Sequence, residues 1–170
     1  RELPLLSQEE TAKIDRLYQK RLRSLQAVDE GLVTLINTLK ANGQLDNTYI
    51  IFTSDNGYHL GQHRLPPDKE TAYEEDIHLP LYVRGPDVPT GETRDQIVSN
   101  LDLAPTFAEL AGADTPNFID GRSLVPLLRH HIPIPAQWRQ VFFLQHRLNR
   151  QTIPIIPDYK GLRTSNCTYV

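Results

Sequence analysis

The sequence predicts an α/β fold, and two adjacent patterns carry that reading. Apolar residues recur at helical spacing from Ile14 to Leu39, and after one turn a short, continuous apolar run spans residues 48–53. A second apolar run at residues 79–84 supplies a further strand for the same sheet.

Ser7-Gln8-Glu9-Glu10 places a hydroxyl three residues before an acid, the arrangement in which each side chain bonds the other's backbone N–H at a helix start. Ile14, Leu17, Tyr18, Leu22, Leu25, Val28, Leu32, Val33, Ile36 and Leu39 then form one stripe of a long amphipathic helix. It ends near Asn42-Gly43, where glycine can take the left-handed conformation that stops helices. Thr48-Tyr49-Ile50-Ile51-Phe52-Thr53 lacks alternation and reads as a buried strand. Leu79-Pro80-Leu81-Tyr82-Val83-Arg84 ends at Gly85-Pro86, a turn signal. Residues 101–112 read as a helix with Pro105 in its first turn, Gly112 beyond its end and Asp102 as the cap. Beyond Gly121 prolines multiply, with residues 141–144 as a strand and residues 153–157 extended or irregular. The expected division is a larger portion at 1–130 and the start of a smaller region at 131–170.

A chain of 170 residues can bury one sizeable core. Its net charge of −3 offers no basic field for nucleic acid or an anionic membrane surface, so no nucleic-acid partner is expected. No apolar run approaches the roughly 20 residues of a membrane span. The start at Arg1 and the absence of methionine lead to the expectation that the sequence is part of a longer chain. Cys167 is the only cysteine, which excludes an intrachain disulfide. Asn166-Cys167-Thr168 satisfies the N-glycosylation tripeptide, making Asn166 an acceptor in a secretory protein.

The most informative stretch is Thr53-Ser54-Asp55-Asn56-Gly57-Tyr58-His59-Leu60-Gly61-Gln62-His63, directly after the first strand. Open α/β sheets place ligands beyond the carboxyl ends of their strands. Asp55 and Asn56 offer adjacent oxygens suited to a hard cation such as calcium or magnesium. The same tripeptide also suits a plain turn, because Asp, Asn and Gly tolerate left-handed conformations, and alone it favours the turn. His59, His63 and Lys69 follow in a loop punctuated by glycine and proline, and all three can donate to an oxyanion.

These residues resemble a known family. Ile51 through His63, then Asp68-Lys69, Tyr73-Glu74, Leu79-Pro80-Leu81, Arg84-Gly85-Pro86, residues 100–106 and Asp120-Gly121-Arg122-Ser123-Leu124 look like the type I sulfatases, with the N-acetylglucosamine-6-sulfatase-like and arylsulfatase-like enzymes as the nearest subgroup. The resemblance covers roughly residues 20–130 and implies part of an alkaline-phosphatase-like mixed sheet flanked by helices. By the same resemblance Asp55 and Asn56 are metal ligands and Lys69 contacts the sulfate. His59 and His63 lie in the substrate-facing loop, as catalytic groups or as loop-ordering ones. Asp120 and Arg122 are expected to form a structural turn and ion pair.

The family's nucleophile is a cysteine or serine in a C/S-x-P-x-R motif, converted to formylglycine. No such motif occurs here, and Cys167 has no downstream Pro-x-Arg, so this segment is expected to be inactive without a preceding half that carries the nucleophile and the first metal carboxylates. The resemblance therefore implies a sulfuric ester hydrolase acting on a sulfated small molecule or glycan, secreted or lysosomal or periplasmic. Two other readings are a phosphoester or phosphonate hydrolase of the same superfamily, and a noncatalytic module that keeps the fold. The long helix and the first strand would leave apolar surface open in the 170-residue segment alone, which predicts poor solubility on its own. Circular dichroism and thermal melting of that segment check this: a soluble, monomeric, cooperatively melting domain would contradict it.

Overall fold

The computed structural model describes residues 3–147 and 156–170. Helix α1 spans Gln8–Ala41, and its start is the expected reciprocal cap: the Ser7 side chain accepts from the Glu10 N–H, and the Glu10 carboxylate accepts from the Ser7 N–H at 2.8 Å. Of its apolar stripe only Ile14 is buried, packed against Gly61, while Tyr18, Leu22, Leu25, Val28, Val33 and Leu35 stand exposed.

Strands β1, Ile50–Thr53, and β2, Leu81–Arg84, form an antiparallel pair in which Ile50 faces Arg84 and Thr53 faces Leu81. The expectation that β1 is buried does not hold within this chain, where all four of its residues are half-buried. Among the described residues β2 is its only strand neighbour, so its other edge has no strand partner there. The one-turn helix α2 spans Glu74–Ile77, α3 spans Leu103–Leu110 and α4 spans Val125–Leu128. A three-stranded antiparallel sheet follows, built from β3 at Val141–His146, β4 at Tyr159–Thr164 and β5 at Thr168–Tyr169. Of the irregular segment expected at 153–157, residues 153–155 lie outside the described residues.

The core gathers Leu124, Leu127 and Trp138, with Leu81, Val98, Leu103 and Leu128 packed against them. The Trp138 indole donates to the Ile97 carbonyl at 3.0 Å, which gives its polar edge a partner. Beside this core lies Asp102, fully buried. It is not the side-chain cap of α3 that the sequence suggests, because its backbone is already helical and its carboxylate points elsewhere. The carboxylate instead accepts from Ser99 N–H at 2.8 Å and Arg122 N–H at 2.8 Å, and from both terminal nitrogens of Arg139 at 2.7 and 2.8 Å. Thr106 extends the network: its hydroxyl donates to the Asp102 carbonyl and accepts from Leu124 N–H at 2.8 Å. Arg122 thus meets Asp102 through its backbone, while its guanidinium donates to the Gln137 carbonyl at 3.1 Å. Among the described residues no ion pair links it to Asp120, contrary to the sequence reading.

Burial pushes the Asp102 carboxyl up, but the Arg139 guanidinium and the two backbone N–H donors outweigh it and hold it below the usual carboxylate range. A depressed folded-state pKa means the stabilisation is present above the unfolded value of about 3.9 and disappears as pH falls through the lower folded value. In the whole protein Asp102→Asn is therefore expected to lower unfolding free energy by about 3–5 kcal/mol at pH 7, because it strands the buried Arg139. Urea titration should show that gap narrowing as pH drops below about 4.

Candidate active site

Beyond Thr53 the chain turns at once, and three groups of bonds shape the turn. The Ser54 hydroxyl donates to the Asn56 carbonyl at 2.8 Å, and Asp55 Oδ1 accepts the Asn56 N–H at 3.0 Å. The Gly57 and Tyr58 N–H groups donate to the carbonyls of Asp76 and Glu75 at 2.9 and 2.7 Å, docking the turn on α2. Gly57 is required there, since a Cβ would lie 2.0 Å from the Glu75 carbonyl oxygen. Asn100 holds the opposite side, its amide donating to the carbonyls of Ser54 and Asp55 at 3.1 Å each.

The loop then returns as a short bridge in which His59 and Asp68 exchange backbone bonds of 2.9 and 3.2 Å. This bridge brings Lys69 back beside the turn, and its ammonium donates to Asn56 Oδ1 at 3.1 Å. Asn56 and Lys69, thirteen positions apart in the sequence, thus meet at the carboxyl end of β1, with Asp55 the residue before Asn56. Asp55 and Lys69 are exposed and Asn56 half-buried. Among the described residues no cationic side chain pairs with the Asp55 carboxylate. An amide oxygen has two lone pairs, so Asn56 can keep Lys69 and still face a cation. That donor set, one unpaired carboxylate beside one amide oxygen, fits two of the six to eight oxygen ligands that calcium takes.

The two histidines occupy different environments. His59 is only 1 % exposed, and its Nδ1 lies 2.9 and 3.0 Å from the Asp76 carboxylate oxygens. The same carboxylate accepts the N–H and hydroxyl of Thr71 at 2.9 and 2.6 Å, so His59 closes a buried network that pins the loop to α2. His63 is exposed, with a left-handed backbone at φ 57°, and stacks on Tyr73 with ring centroids 3.5 Å apart while its Nε2 approaches Glu75 Oε2 at 3.2 Å. Geometry therefore makes His59 part of the loop's frame and leaves His63 and Lys69 at the surface.

Sequence reasoning did not identify Asp76, Thr71 or the clasp from the C-terminal sheet. Glu70, which follows Lys69 with φ 79°, accepts from the Tyr159 hydroxyl through its carbonyl at 3.1 Å and meets His146 Nε2 through its carboxylate at 3.3 Å. Arg163 pairs with Glu74 at 3.0 Å. Burial raises the Tyr159 hydroxyl above the ordinary tyrosine range, with the carboxylates of Asp76 and Glu70 adding to it, so it remains a donor. Tyr159 and Arg163 were the available signal, but their partners, eighty-nine residues away in sequence, were not legible. Asn166 is exposed in the turn between β4 and β5.

Comparison with known proteins places this geometry. A family model described as Sulfatase matches residues 5–113, and one described as N-sulphoglucosamine sulphohydrolase, C-terminal, matches residues 61–167. The chain is 42% identical over 146 residues to the extracellular sulfatase SULF-1 homolog of Drosophila melanogaster, covering 85% of this chain and 13% of that protein. It is 46% identical over 117 residues to the N-acetylglucosamine-6-sulfatase of Homo sapiens, covering 68% of this chain and 21% of that protein. Among solved structures, BT4656 in complex with its substrate D-glucosamine-2-N,6-O-disulfate superposes with a TM-score of 0.76 at 38% identity, covering 83% of this chain and 28% of that one. The phosphonate monoester hydrolase of Silicibacter pomeroyi superposes at 0.71 with 31% identity, covering 83% and 29%. The chain thus spans about an eighth to a fifth of the length of these two curated relatives. With its alkaline-phosphatase-like α/β architecture and its ordered motifs, the chain belongs to the sulfatase family.

Proposed function

We propose that the whole protein is a sulfuric ester hydrolase and that this chain supplies half of its active site. The observation that carries the reading is the convergence of Lys69 with the Asn56 amide oxygen, beside the Asp55 carboxylate in sequence, at the end of β1, Nζ to Oδ1 3.1 Å. Asp55 and Asn56 would hold calcium or magnesium, which supplies Lewis-acid polarisation of a sulfate oxygen when bound. Lys69, the surface cation of the cluster, contacts another sulfate oxygen and stabilises the negative charge that grows as the ester bond breaks. Exposed His63, stacked on the Tyr73 ring, would face substrate. His59 acts indirectly, by holding the loop through Asp76. Formylglycine, the nucleophile of the family, is expected elsewhere in the whole protein, since no C/S-x-P-x-R motif lies in this sequence.

A sulfated sugar is the favoured substrate class over a simple aryl sulfate. The 38% identity to a protein captured with a disulfated glucosamine and the 46% identity to an N-acetylglucosamine-6-sulfatase support it. Two relatives named extracellular sulfatases support a secreted setting, in which Asn166 would be a glycan acceptor. We assign residues 131–170 to a smaller C-terminal region whose β3–β4 hairpin clasps the Lys69 loop. Phosphonate ester hydrolysis is the second reading, favoured by the 0.71 superposition on a phosphonate monoester hydrolase.

Sulfate release from a 6-sulfated glucosamine by the whole protein tests the proposal, with a phenyl phosphonate monoester assayed in parallel. Lys69→Ala is expected to lower kcat about 10²- to 10³-fold with little change in thermal stability, as loss of one oxyanion donor does. Faster turnover of the phosphonate than of every sulfate ester would transfer the assignment to the second reading.

A further inference from the structure

Asp55 and Asn56 can serve a cation only if their turn holds both oxygens on one side, and the backbone of that turn is fixed from two directions. On one side Gly57 and Tyr58 bond the α2 backbone. On the other, both hydrogens of the Asn100 amide are spent on the turn, one on the Ser54 carbonyl and one on the Asp55 carbonyl, each at 3.1 Å. Asn100 comes from a distant part of the sequence, forty-five residues after Asp55.

What makes Asn100 an effective anchor is the rigidity of its own base. It opens a single 3-10 turn, Asn100–Asp102, capped reciprocally by Ser99 and Asp102. Its carbonyl accepts the Leu103 N–H, and Asp102 two residues on is buried under Arg139 and the Arg122 N–H. Gly121 packs so closely on this turn that a Cβ there would lie 2.0 Å from the Leu101 carbonyl oxygen. We propose that Asn100 is a positioning residue for the cation site: it ties the Asp55–Asn56 turn to the buried Asp102 network and so sets the direction of the two ligand oxygens. Groups that orient metal ligands without touching the metal change affinity by roughly 10- to 100-fold when removed. A neutral leucine keeps the branched outline of the asparagine at a larger volume and loses the amide donor, whereas glutamine restores an amide donor on a longer arm.

The proposal rests on the metal reading of Asp55 and Asn56, and the two are separated by comparing variants of the whole protein. Calcium affinity is measured by isothermal titration of the chelator-stripped protein, together with melting in chelator. Asp55→Ala is expected to abolish binding, Asn100→Leu to weaken it roughly 10- to 100-fold, and Asn100→Gln to recover part of the loss. Melting of Asn100→Leu in chelator is expected within a few degrees of wild type, with a smaller upward shift on adding calcium. Wild-type calcium affinity in Asn100→Leu, where Asp55→Ala has lost it, overturns the role of Asn100 alone. Loss of melting temperature in chelator as large as that in calcium shows a general structural role and also overturns it. Undiminished binding in Asp55→Ala overturns the metal reading beneath it.

Discussion

A buried carboxylate with four charge-assisted or backbone donors governs how this chain is put together. Burying an ion pair is costly, and it persists only where geometry satisfies both partners. Asp102 meets that condition by drawing Ser99, Arg122 and Arg139 onto one pair of oxygens. Three remote segments are thereby fixed to one another: the turn before α3, the segment before α4 and the entry to β3. Trp138, next to Arg139, completes the apolar core on the same side, so polar satisfaction and hydrophobic burial select the same arrangement.

The site is built outward from that base by bonds to the backbone of its turn and loop, and the Lys69–Asn56 side-chain contact closes it. Asp55 and Asn56 sit on a turn clamped between Asn100 and α2, and Lys69 arrives through the His59–Asp68 bridge. The loop between them is pinned by His59, Asp76 and Thr71 inside the protein. Such a frame would hold the proposed ligand oxygens and the lysine in place before substrate binds, which is how electrostatic stabilisation avoids reorganisation during reaction. The C-terminal sheet reinforces the frame through Tyr159 and Arg163, linking β4 to the residues that flank Lys69 and to α2.

Much of this was legible in the sequence, where local rules decide the outcome. The reciprocal cap at Ser7 and Glu10, the end of α1 near Gly43, and the strand before Asp55 follow from short-range bonding and periodicity. The resemblance of the ordered motifs between Ile51 and Leu124 to sulfatases pointed to the family. Asp102 was read as a cap because it precedes a helix, but Arg139 lies thirty-seven residues away and periodicity carries no trace of it. The same holds for Asp76, whose sequence neighbours make it look like one acid among several on a surface helix. Strand β4 escaped notice because Lys160, Gly161 and Arg163 break its apolar pattern, and its register is set by pairing with β3. Long-range polar partners, each chosen by tertiary geometry, account for what the sequence did not reveal.

A crystal structure of the whole protein grown with calcium and inorganic sulfate is the most direct test of the arrangement at the end of β1. The account predicts an ion within about 2.3–2.6 Å of oxygens from both Asp55 and Asn56, with the Lys69 ammonium on a sulfate oxygen. A calcium ion bound elsewhere, with Asp55 turned to solvent and Lys69 distant from the sulfate, would contradict it.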